Sequence, residues 1–297
     1  MKRKWKILAL GLILLLLLDL AGGAAYYAFL FSGRRPGPTA EQELLSRYPA
    51  LTRREIPFPN EDGTTLAGWL YSEPQAAEEA PKGLLLVVHG MGTGHLSYLN
   101  VIDRFAREGW LVFSYDATGY GASGGNGMKG VPQAVLDLDA ALNAAEALPE
   151  ASGLPVCLFG HSLGAHAVCA VLVRHPEVKA IAALSGFDSV SAWVRVGMGL
   201  PGVLLLPGAL LWERLRFGEA AAWSAQDGFA ASEARVLIVH SADDDTVPIS
   251  CGLDRYMAAW GGDPRFSFLR LEDRGHSGVF TPETANACLE LFAEAGQ

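Results

Sequence analysis

Two pentapeptides in this 297-residue chain fit the pattern G-x-S-x-G, the turn that can present a nucleophilic serine: "GASGG" at Gly121–Gly125 and "GHSLG" at Gly160–Gly164. A serine hydroxyl is a weak nucleophile near neutral pH. It needs an imidazole to take its proton, and the imidazole needs an acid to orient it. The turn also demands a strand before the serine and a helix after it. Ser162 meets this demand, with apolar "PVCLF" ahead and "LGAHAVCAVLV" behind. It would sit at a helix N-terminus, where free amides and the helix dipole favour developing negative charge. Ser123 lies in "DATGYGASGGNGMKG", too rich in glycine to start a helix, and reads as a turn residue. Ser162 is the expected nucleophile.

In doubly wound hydrolases the order is Ser, acid, His. Of seven histidines, His240 and His276 follow Ser162 at a distance. His240, in "VLIVHS", precedes the acidic cluster and reads as structural. His276, in "EDRGHSG", is the expected base. The acid belongs in "VLIVHSADDDTVP", where chemistry alone leaves Asp243, Asp244 and Asp245 all open. One carboxylate can orient the imidazole, and the other two read as solvated or capping. The oxyanion needs two donors. The backbone N–H of Leu163, just after the nucleophile, is one. The N–H of Met91 in "HGMG" is the other, with Gly90 and Gly92 letting that loop approach the substrate. As a phosphate cradle "HGMGTG" lacks the Lys-Ser/Thr end. This chemistry requires no metal and no organic cofactor.

The elements that must hold these groups follow from periodicity. "GLLLVVHG", "WLVFSYD", "PVCLFG", "VKAIAALSG" and "ARVLIVHSA" are short apolar runs, expected as strands buried on both faces, and "RFSFLRLE" closes the series. Between them "SYLNVIDRFAREG", "VPQAVLDLDAALNAAEAL" and "LGAHAVCAVLVRHP" have helical spacing, and "PETANACLELFAEAG" is a last helix. Ahead of them "REIPFPNEDGTTLAGWLYSE" reads as a hairpin turning at Asp62-Gly63, followed by a polar loop, "QAAEEAP". Alternating strands and helices imply an α/β fold: a mostly parallel central sheet with helices on both faces. Residues 187–229 break the alternation with an apolar, Trp- and Gly-rich run, expected as a helical cap insertion.

In combination, "VVHGMG", "YDATGYGASGG", "FGHSLGA", "HSADDDTVP" and "RGHSG" resemble the alpha/beta-hydrolase superfamily, over about Glu55 to the C-terminus. They resemble its serine aminopeptidase-like and monoacylglycerol-lipase-like branch, which includes membrane-anchored members. The resemblance gives Ser123 a structural role in a D-x-x-G-x-G-x-S-x-G loop. Aligning H-G-x-x-D-x-x-V-P on Val247-Pro248 implies Asp244 as the acid, with Ser241 replacing the usual glycine. Fold-level likeness narrows reaction class better than substrate.

The first 31 residues read differently. Lys2, Arg3, Lys4 and Lys6 precede an apolar stretch from Ile7 to Phe31, long enough to cross a bilayer core of about 30 Å as a helix. Asp19 is its single charge, and Tyr26, Tyr27, Arg34 and Arg35 read as interfacial. The basic flank favours a cytoplasmic N-terminus and a catalytic domain on the far side. The alternative is a signal peptide cleaved near "AGGAA", giving a secreted protein. Residues 32–50 are then a linker with a short helix, and 51–297 the hydrolase domain. Elsewhere the net charge of −9 argues against nucleic acid as a partner. The four cysteines lack metal-site spacing and read as free buried thiols.

The expected function is hydrolysis of carboxylic esters or thioesters, with the apolar cap pointing to acyl or lipid-like substrates. A peptidase, an acyltransferase on the same residues, and a non-catalytic membrane-tethered binding module are the alternatives.

Overall fold

The computed structural model describes residues 2–74, 80–197 and 199–295. Gln75–Glu79 of the expected polar loop lie outside the described residues. At the centre is an eight-stranded sheet. The run LLLVV forms β3 (Leu84–Val88), buried at every position, as a strand covered on both faces must be. Parallel to it run β4 (Leu111–Tyr115), β5 (Val156–His161), β6 (Ala180–Leu184), β7 (Arg235–Ser241) and β8 (Phe266–Leu271). The hairpin pairs β1 (Thr52–Pro59) with β2 (Thr65–Ser72), and β2 lies antiparallel to β4. Strand order is β1-β2-β4-β3-β5-β6-β7-β8. The chain therefore steps one way from β3 to β4 and the other way from β3's far side to β5. That switch point is where the carboxyl ends of an open α/β sheet leave a crevice for a ligand.

Helices α3 (Leu99–Arg107) and α10 (Pro282–Ala295) pack on one face of the sheet. On the other lie α4 (Val131–Glu146), α5 (Leu163–Ala170), α8 (Ala225–Ala231) and α9 (Leu253–Trp260). The sequence reading had no helix at α9. Its eight residues offer only Leu253 and Tyr256 as fully buried positions, too few to stand out as a periodic stripe. A short helix, α2 (Glu41–Ser46), falls within the linker.

The expected cap region holds α6 (Val190–Gly197) and α7 (Gly199–Phe217), while α8 at its end packs on α5. The N-terminal stretch forms one helix, α1 (Lys2–Leu30). Its outer half is exposed, but its last turns join the protein core. Tyr27 is not an interfacial residue. It is buried, and its hydroxyl donates to the buried Glu213 of α7 and accepts from the Val131 N–H at 3.1 Å. Phe31 is buried beside it. Arg34 is likewise turned to protein, donating to the carbonyls of Gly121 and Ser123 at 2.6 Å each. All four cysteines are buried and unpaired with one another.

Candidate active site

The local sequence forces an unusual backbone at Ser162. It sits between β5 and α5 with φ 58° and ψ −120°, a left-handed conformation costing a non-glycine residue about 1–3 kcal/mol. The flanking glycines make the turn possible. A Cβ at Gly164 would lie 2.3 Å from the Val88 carbonyl oxygen, and one at Gly160 would lie 2.3 Å from the Gly164 oxygen. Strand and helix thus pass at backbone contact, with the serine hydroxyl at the carboxyl edge of the sheet.

The loops after β7 and β8 bring two more groups to it. Ser162 Oγ lies 2.9 Å from His276 Nε2, and His276 Nδ1 donates to Asp244 Oδ2 at 2.8 Å. Asp244 is fixed from its other oxygen, which accepts the N–H groups of Val247 at 2.8 Å and Thr246 at 3.0 Å. Burial opposes a charge there. The hydrogen bonds from His240, His276 and the Val247 amide outweigh it and hold the carboxyl well below the usual carboxylate range. His240 donates to the Val247 carbonyl at 2.8 Å and stands 3.2 Å from Asp244, so it braces the acid.

The three adjacent aspartates take three positions. Asp244 meets the imidazole. Asp243 accepts the N–H groups of Arg274 and Gly275 at 3.1 and 2.9 Å, pinning the loop that carries His276, and its Oδ1 also accepts the Ser241 hydroxyl. Asp245 is exposed and, among the described residues, accepts from the Thr246 hydroxyl alone, at 3.3 Å. Asp243→Ala is expected to lower kcat about 10-fold with KM little changed, because freeing the loop disturbs the base rather than substrate binding. Steady-state kinetics on one soluble ester checks this.

Leu163 is the first residue of α5, and Met91 follows β3 between Gly90 and Gly92. Neither backbone N–H is bonded to another group among the described residues, so both remain able to donate. Ser123 is apart from this group. Its buried hydroxyl donates to the Asp116 carbonyl and accepts the Ala67 N–H at 2.8 Å, tying the loop after β4 to the hairpin. Ser123→Ala is expected to cost about 1–3 kcal/mol of stability through the unpaired groups it leaves, with chemistry nearly intact. Thermal unfolding and turnover of the same preparation test both halves.

A family model described as serine aminopeptidase, S33, matches residues 79–210. A monoacylglycerol lipase of Mycolicibacterium smegmatis is 31% identical over 108 residues, covering 36% of this chain and 38% of the relative. A monoglyceride lipase of Saccharomyces cerevisiae is 25% identical over 126 residues, 40% of each. The match thus spans about two fifths of the length of these curated relatives. An esterase structure from Pyrococcus furiosus superposes with a TM-score of 0.68 at 18% identity, over 90% of this chain and all of that one. The chain has the alpha/beta-hydrolase fold. An acylaminoacyl peptidase from Pyrococcus horikoshii shares the fold too, with a TM-score of 0.63 at 16% identity, over 86% of this chain and 43% of that one.

The site also carries a link that sequence reasoning missed. The Gly90 N–H donates to the Tyr98 hydroxyl at 3.0 Å. Tyr98 meets His161 Nδ1 at 2.9 Å, and His161 Nε2 donates to the His276 carbonyl at 2.8 Å. The loop after β3 and the loop carrying His276 are thereby tied through the x of G-x-S-x-G. Burial, aided by the nearby His276, holds the His161 imidazole down at about 4, so at neutral pH it is uncharged and can accept from Tyr98. The only advance signal was its place beside Ser162.

Two cavities meet at Ser162. One, of about 230 Å³, is lined by Tyr98, His161, His276, Val279 and Phe280 among others. The other is a narrow apolar slot of about 30 Å³, walled by Phe31, Leu163, Phe187, Trp193 and Val247. Met91 borders both.

Proposed function

We propose that this chain is a serine hydrolase of carboxylic esters or thioesters with acyl or lipid-like substrates. We further propose that α1 keeps it in a membrane, with a cytoplasmic N-terminus and the hydrolase domain on the far side. The observation that carries the chemistry is the unbroken line Ser162–His276–Asp244 at the mouth of two cavities. Ser162 Oγ attacks the acyl carbon while His276 Nε2 takes its proton. Asp244 holds the imidazole tautomer and stabilises the imidazolium. The Met91 and Leu163 N–H groups receive the oxyanion. His276 then gives its proton to the leaving alcohol or thiol. Water, deprotonated by the same imidazole, attacks the acyl-enzyme and releases the acid, restoring the serine.

The apolar slot suits the first carbons of an acyl chain, and the larger cavity suits the leaving group. Among the described residues one helix, Lys4–Leu30, is long and apolar enough to cross a membrane, which supports the anchor.

The test is a substrate panel on the purified full chain: glyceryl and aryl esters of increasing acyl length, aminoacyl arylamides, and esters with an added alcohol or thiol acceptor. Ester turnover together with fluorophosphonate labelling of Ser162 is expected. Faster arylamide cleavage would make it a peptidase, and product diverted to the acceptor an acyltransferase. Folded protein that resists labelling would make it a non-catalytic binding module.

A further inference from the structure

The anchor and the cap are one structure. A Cβ at Gly23 would lie 2.3 Å from the Leu205 carbonyl oxygen, and one at Gly208 would lie 2.3 Å from the Leu20 oxygen. Helices α1 and α7 therefore touch backbone to backbone, as helices with glycine at their crossing do in lipid. One turn further along each, Tyr27 bonds Glu213. Contacts advance in the same direction on both helices, from Leu20–Gly23 against Leu205–Gly208 to Tyr27 against Glu213, so α1 and α7 run parallel.

The direction matters. Tyr27 lies near the domain end of α1, so α7 backward from Glu213 runs along α1 away from the hydrolase domain. At about 1.5 Å per residue, the stretch from Glu213 to Gly199 extends about 21 Å. Its outward side chains are apolar: Leu200 is 71% exposed and Leu204 57%, with Val203 and Leu211 also exposed. They continue the surface of α1, where Leu14 is 57% exposed. Polar and basic groups resume at the domain end, where Arg216 bonds Asp62 at 3.1 Å and Arg214 bonds the Gly218 carbonyl at 2.9 Å. From Val190 to Leu211 the only charge is Arg195, whose long side chain can reach back toward headgroups. An apolar patch this continuous with a membrane-crossing helix has lipid as its natural cover.

We propose that α6 and α7 enter the bilayer beside α1 as a re-entrant hairpin, so that the acyl slot at Ser162 is fed from lipid. Trp193 of α6 and Phe31 at the end of α1 wall that slot, so the elements meeting the acyl chain are those the bilayer surrounds. The inference rests on the reading of α1 as a retained anchor. It places the substrate's acyl chain in the membrane rather than in water, and makes the hairpin part of the membrane-bound surface.

The test uses the full chain in phosphatidylcholine–phosphatidylglycerol vesicles. Since the four native cysteines are buried, single environment-sensitive fluorophores can be attached at Leu204→Cys, at Leu14→Cys, and at Glu233→Cys, whose parent side chain is 96% exposed. Each is quenched from lipid by doxyl-labelled phosphatidylcholine and from water by iodide. The expected result is lipid quenching at 204 comparable to that at 14 and several-fold above that at 233, with iodide acting in the reverse order. Iodide quenching at 204 equal to that at 233, with 14 still quenched by lipid, overturns the hairpin and leaves the anchor. Protection at 204 from both quenchers places protein on that face, such as a second copy, and also overturns it. Loss of lipid quenching at 14 overturns the anchor itself.

Discussion

Ser162→Ala is expected to lower ester turnover on the order of 10³-fold or more while leaving the fold in place. The hydroxyl is removed and its two neighbours stay where their own partners hold them. His276 keeps Asp244 on Nδ1 and His161 on its carbonyl. The companion variant Asp244→Asn should cost about 10⁴-fold by a different route. Here the Val247 and Thr246 amides need an acceptor from residue 244, which places the amide oxygen toward them. The amide NH₂ then faces His276 Nδ1, forcing that nitrogen to accept. The ring proton moves to Nε2, where it points at Ser162 and cannot be exchanged for the serine's own. Burst kinetics with an aryl ester, alongside circular dichroism, separates lost chemistry from lost fold. If Ser123→Ala is the inert variant and Ser162→Ala is active, the assignment of the nucleophile fails.

The second large effect concerns α1. A chain beginning at Ser32 is expected to be too unstable to purify as a folded monomer. Tyr27 and Phe31 are each almost fully buried, and truncating a buried aromatic costs about 3–5 kcal/mol. Two such losses compare with the whole stability of an ordinary domain, about 5–15 kcal/mol. Removal would also leave Glu213 buried without the hydroxyl it accepts, and would open the wall of the apolar slot. A chain beginning at Tyr26 keeps both aromatics and should fold with a lower Tm. Thermal unfolding of the full and shortened chains in the same detergent makes the comparison. Equal Tm values for all three would mean that neither Tyr27 nor Phe31 contributes to the stability of the fold.

The proposed nucleophile was legible because its evidence is local: a buried strand, a small-residue turn and a helix contiguous in sequence. His276 was legible by order along the chain. Asp244 was not legible from chemistry, since Asp243 and Asp245 carry the same group; the resemblance alone singled it out. What separates the three is backbone direction after β7, which turns the middle carboxylate inward and gives its neighbour to the amides of Arg274 and Gly275. The strands were readable as apolar runs, whereas α9 buries too little to show a period. The joint between α1 and α7 left no sequence signal at all. Gly22 and Gly23 fit the small residues of a cleavage site as well as they fit a helix crossing, and the pairing of residue 27 with residue 213 is a long-range fact. Arg34 was misread for the same reason. Basic residues after an apolar span suit headgroups, yet the Arg34 guanidinium is occupied by carbonyls of the Gly121–Ser123 turn.

The backbone at Ser162 sets function against durability. At φ 58° glycine would be at ease and serine is not. On the proposed mechanism, the residue that relaxes the turn is the one that cannot attack an ester. Any search for hardier forms of this protein that scores thermal resistance alone will therefore favour erasing its reactive atom. Hardening the protein without disarming it has to begin elsewhere, in the hairpin or the loops, with turnover measured at every step.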